Sequence, residues 1–135
     1  MYYIQENSHM KDTTPKKILI IEDEKPLLHA LELKLSHEGY EIVATDSGEA
    51  GIEHLTKEKF DLVLTDLITP GLDGFKVLET LQQKKMKTPV IVMTNLNQEE
   101  DKKRAYDLGA TGFFVKSNST ISEIVQSVKT TLEKS

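Results

Sequence analysis

The sequence predicts a doubly wound α/β fold, in which a five-stranded parallel sheet of order 2-1-3-4-5 carries helices on both faces. From Lys16 onward, short apolar runs alternate regularly with segments of helical periodicity. The apolar runs are hydrophobic throughout, which is typical of strands buried on both faces of a parallel sheet. Because each parallel crossover is right-handed and carries a helix, this alternation places helices on both sides of the sheet.

The predicted elements follow one another in regular order along the chain. Strands are predicted over residues 17–22, 41–45, 61–66, 89–94 and 112–115. Helices are predicted over residues 26–38, 47–58, 74–85, 98–109 and 120–133. Apolar runs identify the strands, and apolar stripes with terminal signals identify the helices.

End signals bound several of the predicted helices. Pro26 lies in the first turn of the first helix, and Gly39 terminates it. The second helix begins at Asp46 or Ser47. Three pairs have the spacing of a capping box: Asp46 with Glu49, Asn97 with Glu100, and Thr120 with Glu123.

Length and composition indicate one globular domain. The chain of 135 residues is 38% hydrophobic and 29% charged, and a disordered chain would have fewer branched aliphatic residues. A net charge of -5 disfavours direct nucleic-acid binding, because such proteins usually have a clustered basic face. The absence of cysteine excludes disulfides and thiolate metal sites, and it fits a cytoplasmic location. The apolar runs are too short to cross a membrane, and the N-terminus does not resemble a signal peptide.

The first fifteen residues are predicted to lie outside the fold. Residues 1–15 are polar, lack periodicity, and contain Ser8-His9-Met10, which resembles a cloning scar before a second start. We therefore interpret residues 1–15 as a disordered leader or tag remnant, and residues 16–135 as the folded domain.

Three acidic residues follow two of the predicted strands. Glu22 and Asp23 end the first strand, and Asp66 ends the third. In a sheet of this order the strand order reverses between strands one and three, and ligands bind beyond the carboxyl ends there. Two or three carboxylates at that point predict a site for Mg²⁺ (or Mn²⁺). Each acid alone is as readily explained as a cap of the following helix, but three together favour the metal.

Two further strand ends carry polar groups of another kind. Thr94 follows the fourth apolar run and Lys116 follows the fifth. Taken singly, Thr94 is more often a backbone-bonded hydroxyl, and Lys116 more often a solvated lysine. Together with the three acids they suit phosphoryl transfer to a carboxylate, with Asp66 as the best candidate nucleophile.

These motifs resemble the receiver domain of two-component response regulators, including the chemotaxis-type single-domain regulators. The resemblance covers about residues 16–134. It is carried by Glu22-Asp23-Glu24, Leu64-Thr65-Asp66, Pro70, Gly71-Leu72-Asp73-Gly74, Met93-Thr94, Gly109-Ala110 and Phe114-Val115-Lys116.

The resemblance implies a role for each matched residue. Asp66 would accept a phosphoryl group, with Mg²⁺ present, from a histidine kinase or histidine phosphotransfer protein. The implied metal ligands are Glu22, Asp23, Asp66 and the backbone carbonyl of Ile68. Thr94 would be the switch hydroxyl, Phe113 the switch aromatic, and Lys116 the phosphate-binding lysine. The surface of helix 4, strand 5 and helix 5 would then signal to a downstream protein target.

Two departures from the family pattern affect this interpretation. Ser117 stands where the family usually has proline after a cis bond, and a cis Lys-Ser bond would cost about 3–4 kcal/mol. We therefore expect this loop to be trans or strained. Ile68 and Leu96 are expected to flank the acceptor pocket and hinder the hydrolytic water, which predicts slow autodephosphorylation.

Other interpretations remain open. The domain is expected to be a monomer or weak dimer and a signalling switch rather than an enzyme, acting alone or excised from a longer regulator or hybrid kinase. A Mg²⁺-dependent phosphohydrolase is the alternative from a different class, although its usual Asp-x-Asp motif after strand one is absent. A flavodoxin-like mononucleotide binder shares the strand order, but Glu22-Asp23-Glu24 would repel its phosphate.

Overall fold

The computed structural model describes residues 14–134, which form five strands and five helices. The strands are β1 (Lys17–Ile21), β2 (Glu41–Thr45), β3 (Leu62–Thr65), β4 (Val90–Thr94) and β5 (Gly112–Val115). The helices are α1 (Lys25–His37), α2 (Gly48–Lys57), α3 (Gly74–Gln83), α4 (Glu99–Asp107) and α5 (Ile121–Glu133), and a 3₁₀ turn spans Lys116–Asn118. Each predicted boundary lies within about two residues of the observed one, which is the usual uncertainty of helix ends.

The five strands form one parallel sheet in the order β2-β1-β3-β4-β5, so the predicted fold is confirmed. β1 and β3 are neighbours, and Ile21 lies beside Thr65 in the register. The strand order reverses here, because β2 and β3 lie on opposite sides of β1. Residues that follow Ile21 and Thr65 therefore meet at one crevice along the carboxyl edge.

Alternate strand residues point to opposite faces and build two hydrophobic clusters. On one face, Leu19, Ile21 and Val63 pack with the side chains of α2, α3 and α4. On the other face, Ile18 and Ile20 pack with the side chains of α1 and α5. Each such fully buried aliphatic side chain contributes roughly 1.5–3 kcal/mol relative to exposure. The two clusters hold the sheet rigid beneath its carboxyl edge.

One of the three predicted capping boxes is confirmed. At the start of α5, Thr120 Oγ1 accepts the Glu123 N–H at 3.1 Å, and Glu123 Oε1 accepts the Thr120 N–H at 2.8 Å. The box predicted at Asp46 with Glu49 is wrong, because α2 begins at Gly48 and is capped by Ser47.

The box predicted at Asn97 with Glu100 is also wrong. α4 begins at Glu99, so its capping position is Gln98, whose side chain makes no capping hydrogen bond. Asn97 lies one residue too early to reach the N–H groups of the first turn.

Most of the predicted leader, residues 1–15, lies outside the residues that the structure describes, apart from Thr14 and Pro15. Within residues 14–134, none of the helices has the length and apolar character that a bilayer crossing requires.

Candidate functional site

The first and third strands deliver three carboxylates to one point. The backbone N–H of Glu22 donates to Thr45 O, and that of Asp66 donates to Ile21 O, both at 3.0 Å. These hydrogen bonds continue the ladder just beyond the ends of β1 and β3. One carboxylate oxygen from each of Glu22, Asp23 and Asp66 lies within 4.8 Å of the other two. The predicted convergence is therefore present in the structure.

Lys116 reaches into the same crevice from the end of β5. Its Nζ lies 2.8 Å from Asp66 Oδ2, 2.9 Å from Glu22 Oε1 and 3.1 Å from Glu24 Oε1. One ammonium thus serves three carboxylates, and its side chain is only 9% exposed. Hydrogen bonds between ionised partners are the stronger kind, so this cluster holds Lys116 close to Asp66.

The environment acts differently on the two buried partners. Burial raises the pKa of Glu22 above its ordinary value, and hydrogen bonding to Lys116 only partly opposes this effect. For Lys116, burial alone would lower the pKa, but the hydrogen bonds to Asp66 and Glu22 outweigh it and the net pKa is raised. Lys116 is therefore a permanent positive charge at the site.

Asp66 is held by the loop that follows it. Asp66 Oδ1 accepts the Ile68 N–H at 3.0 Å. The start of α3 packs against the same loop, where Gly74 N–H donates to Leu67 O at 3.0 Å. A Cβ added at Gly74 would lie 2.3 Å from Asp66 O and 2.6 Å from Leu67 Cα, so only glycine allows this approach.

The carboxylate of Asp66 borders a cavity of about 200 Å³. The residues that line it are Asp23, Glu24, Asp66, Ile68, Asn95 and Lys116. Asp66 is only 4% exposed, whereas Asp23 is exposed at the rim. Solvent and ligands therefore reach Asp66 through this cavity. A larger cavity of about 660 Å³ lies between α1 and α5, but its lining lacks such a carboxylate cluster.

The donor set fits a hard divalent cation. Glu22 is buried, its Oε1 lies 2.9 Å from the Lys116 ammonium, and its Oε2 accepts hydrogen bonds from the Glu24 N–H at 2.9 Å and from Lys116 at 3.1 Å. A buried carboxylate is costly unless positive charge neutralises it, and the single ammonium of Lys116 is shared among three carboxylates. In proteins Mg²⁺ takes oxygen ligands, usually from one or two carboxylates together with several waters.

Thr94 and Phe113 are not among the residues that line the cavity. Thr94 is fully buried, and its Oγ1 accepts the Leu96 N–H at 3.3 Å. Phe113 is half-buried and packs against the cluster that includes α4, whereas Phe114 packs against the opposite cluster. The two aromatic rings therefore face opposite sides of the sheet, as their adjacency on one strand predicts.

The loop after Lys116 is trans. All peptide bonds among residues 14–134 are trans, including the bond between Lys116 and Ser117. Of the two expectations for this loop, a trans bond or visible strain, the trans bond is the one observed. The structure corrects the placement of Leu96, which packs against the hydrophobic cluster and does not line the cavity. Ile68 does line it and is 53% exposed.

Two residues of the site were not assigned a role from the sequence. Glu24 carries the third carboxylate on Lys116, and its position directly after Asp23 could have indicated this contact. Asn95 lines the cavity and accepts the Ser117 N–H at 3.2 Å. Its position directly after Thr94 is the signal that could have identified it.

The fold and this site define a doubly wound domain with an acidic pocket and a lysine at its switch point. The family model of the response regulator receiver domain matches residues 18–129. The chain therefore belongs to the response regulator receiver domain family. Receiver domains are signalling switches of two-component systems, and members of the family generally bind Mg²⁺ at an acidic pocket and undergo phosphorylation.

Sequence relatives support this assignment. The chain is 34% identical over 101 residues to the alkaline phosphatase synthesis transcriptional regulatory protein PhoP of Bacillus subtilis (strain 168), covering 75% of this chain and 42% of the relative. It is 35% identical over 100 residues to the cell cycle response regulator CtrA of Brucella ovis, covering 74% of this chain and 43% of the relative. The chain thus spans about two fifths of the length of these curated relatives.

Solved structures agree in fold. A CheY-like response regulator receiver domain protein from Methanospirillum hungatei JF-1 superposes with a TM-score of 0.84 at 24% identity, over 90% of this chain and 96% of that one. The non-phosphorylated HemR receiver domain from Leptospira biflexa gives a TM-score of 0.79 at 25% identity, over 87% of this chain and 94% of that one.

Proposed function

We propose that Asp66 accepts a phosphoryl group from a histidine kinase or a histidine phosphotransfer protein. The observation that carries the proposal is the 2.8 Å ion pair between Lys116 Nζ and Asp66 Oδ2, beside carboxylates that can share a cation. A phosphoryl group on Asp66 would bring negative charge to a point where Lys116 is already charged.

In the transfer, a carboxylate oxygen of Asp66 forms a bond to phosphorus while the P–N bond of the donor phosphohistidine breaks. The donor imidazole keeps the electron pair of that bond and takes a proton from solvent. When bound, Mg²⁺ (or Mn²⁺) would supply positive charge for the phosphoryl oxygens. Lys116 neutralises further charge, and the small cavity limits the access of water to the acyl phosphate.

The metal ligands in this proposal are Glu22, Asp23, Asp66 and the backbone carbonyl of Ile68. The support is that Glu22, Asp23 and Asp66 bring carboxylate oxygens within 4.8 Å of one another, and that Glu22 is buried among them. Ile68 lines the same cavity. Because Lys116 occupies the carboxylates in this structure, metal binding and lysine pairing act on the same oxygens.

The proposed switch uses Thr94 and Phe113. The Thr94 oxygen accepts a hydrogen bond from Leu96, so its own proton is available for a phosphoryl oxygen. Movement of Thr94 toward that group would leave space into which Phe113 can turn, and the surface of α4, β5 and α5 would change shape. α4 suits such a change, because among its nine described residues Ala105 alone is buried.

The partners follow from this mechanism. The upstream partner is the histidine kinase or phosphotransfer protein, and the downstream partner is a protein that binds the switched surface, with no direct contact to nucleic acid or membrane. The domain would act in the cytoplasm as a monomer or weak dimer, catalysing only its own phosphorylation and dephosphorylation. An alternative is that it serves as the receiver of a longer regulator or hybrid kinase; family membership does not favour a phosphohydrolase.

The proposal is tested by incubation with acetyl phosphate and Mg²⁺, followed by intact mass measurement. We expect one acid-stable, base-labile phosphoryl group on the wild-type chain and none on Asp66→Asn. Asp46→Asn is the matched control, because Asp46 follows β2 at the same edge of the sheet and is exposed outside the triad. Equal phosphorylation of wild type and Asp66→Asn, or rapid turnover of the phosphodonor, would contradict the proposal.

A further inference from the structure

One side chain joins the loop after β4 to the loop after β5. Asn95 Oδ1 accepts the backbone N–H of Ser117 at 3.2 Å. Asn95 is the neighbour of Thr94, and Ser117 is the neighbour of Lys116. This hydrogen bond, here called the 95–117 clasp, therefore connects the two loops that carry the switch hydroxyl and the phosphate-binding ammonium.

The clasp depends on the identity of residue 117. A proline at this position would have no N–H, and Asn95 would have nothing to accept from it. Serine supplies the donor, and the bond between Lys116 and Ser117 is trans. An acceptor side chain in the β4–α4 loop and a non-proline residue after the lysine therefore occur together as a matched pair.

Apart from the ion pairs of the Lys116 side chain, the turn that carries Lys116 makes few other hydrogen bonds. Within the 3₁₀ turn, Ser119 N–H donates to Lys116 O at 3.4 Å, and Ser119 Oγ donates to Val115 O at 2.9 Å. Both bonds are internal to the β5–α5 connection, so neither sets its position relative to β4. The ladder of β4 and β5, which pairs Thr94 with Val115, fixes the chain as far as residue 115, and beyond it the 95–117 clasp is the hydrogen bond that joins the turn to the β4–α4 loop within the described residues.

The position of the turn matters because of the nature of lysine. Its four-carbon stem is flexible and does not by itself fix the ammonium, so the backbone of the turn limits which positions the ammonium can reach. In this structure Nζ lies 2.8 Å from Asp66 Oδ2, with the lysine side chain only 9% exposed. A shift of the turn would move this ammonium relative to Asp66.

We propose that Asn95 is a positioning residue, which holds the Lys116 turn against the β4–α4 loop through the Ser117 N–H. In this role, which rests on the proposed function, Asn95 fixes the Lys116 ammonium and the Thr94 hydroxyl relative to each other for the phosphoryl group on Asp66. It acts through the backbone of Ser117 rather than on the phosphoryl group.

The kinetic test is a double-mutant cycle that removes the acceptor and the donor. Asn95→Ala is expected to slow phosphorylation by acetyl phosphate about fivefold, the effect of one ordinary hydrogen bond. In a Ser117→Pro background the same substitution should have no effect, because the donor is already absent. Asn118→Ala is the matched control, since this exposed asparagine of the same turn makes no side-chain hydrogen bond within residues 14–134. An equal slowing by Asn95→Ala in both backgrounds would overturn the positioning role.

A second measurement is independent of phosphorylation and of the folding of the proline variant. Hydrogen exchange of the Ser117 amide, followed by NMR, is expected to quicken about threefold or more in Asn95→Ala. Asn95→Asp keeps the Oδ1 acceptor and should retain the protection, and Asn118→Ala should not alter it. Unchanged Ser117 exchange in Asn95→Ala would overturn the clasp. A wild-type chain that takes no phosphoryl group, yet shows protection that depends on Asn95, would support the clasp and overturn the proposed function.

Discussion

At the residue scale, Glu22 combines the chemistry of a metal ligand with surroundings that oppose its charge. Its side chain is fully buried, and burial raises its pKa. The ion pair with Lys116 offsets part of the cost of burying this charge, but Lys116 also pairs with Asp66 and Glu24. The site therefore holds an acid that is destabilising for the metal-free fold and useful for binding a cation.

Glu22→Gln is expected to stabilise the metal-free protein at pH 7, because glutamine carries no charge whose burial is unfavourable. The raised pKa means that the folded state holds the Glu22 proton more tightly than the unfolded state. Its stabilising contribution is complete below the ordinary pKa of 4.5 and is lost as pH rises through the raised value. Glutamine does not titrate, so this loss disappears, while Asp66 and Glu24 still pair Lys116.

Urea unfolding from pH 4 to pH 7 in the presence of a chelator measures this effect. An Asp23→Asn variant is the control, because Asp23 is exposed and does not carry the burial cost. A Glu22→Gln protein that is less stable than wild type at pH 7 would contradict the account.

Ile68→Asn is expected to shorten the lifetime of the phosphoryl group by about tenfold, which corresponds to ~1.4 kcal/mol in the barrier. Ile68 lines the cavity beside Asp66, and an amide there can orient the hydrolytic water that an apolar side chain excludes. The measurement is the decay of phosphorylated protein after removal of the donor. A longer lifetime in Ile68→Asn than in wild type would show that Ile68 does not shield the acyl phosphate.

At the element scale, the position of Asp66 depends on how closely α3 approaches the end of β3. Gly74→Ala is expected to destabilise the fold by about 1–3 kcal/mol and to slow phosphorylation, because its Cβ would meet the Asp66 and Leu67 backbone at 2.3 and 2.6 Å. Urea unfolding and the phosphorylation rate measure the two effects.

Gly112→Ala is the control for this substitution. A Cβ added there meets its nearest atoms at 3.7 to 3.9 Å, which is ordinary contact. Equal destabilisation by the two substitutions would show that loss of glycine itself, rather than its approach to Asp66, is responsible.

Thr120→Ala is expected to cost about 1 kcal/mol in unfolding free energy, because it removes the cap of α5. Gln98→Ala, at the corresponding position of α4, should have little effect, since Gln98 makes no capping hydrogen bond. Chemical denaturation of both variants compares the two helix ends. A larger cost at Gln98 than at Thr120 would contradict the assignment of the caps.

At the scale of the whole molecule, the fold could be predicted because periodicity and alternation are properties of the chain itself. Buried strands such as β3 and β4 read as apolar runs, and their order follows from the handedness of crossovers. The convergence of Glu22, Asp23 and Asp66 could be predicted as well, because the strand order determines which strand ends lie side by side.

The remaining details depend on side-chain geometry that no periodicity encodes. The sequence left the start of α2 open between Asp46 and Ser47, and only the structure shows that Ser47 is the cap. The clasp of Asn95 with Ser117 joins residues that are distant in sequence, and the packing of Leu96 into the core depends on the path of a loop. Such contacts appear only when the loops are placed in space.

The measurement that tests the central claim most directly is the location of the phosphoryl group on the intact chain. After incubation with acetyl phosphate and Mg²⁺, borohydride reduction converts a phosphorylated aspartate to homoserine, which peptide mass spectrometry can place. We expect homoserine at residue 66, and its amount should fall sharply when Mg²⁺ is chelated or when Lys116 is replaced by alanine. Homoserine at another aspartate, or an equal yield at residue 66 without the metal, would contradict the account.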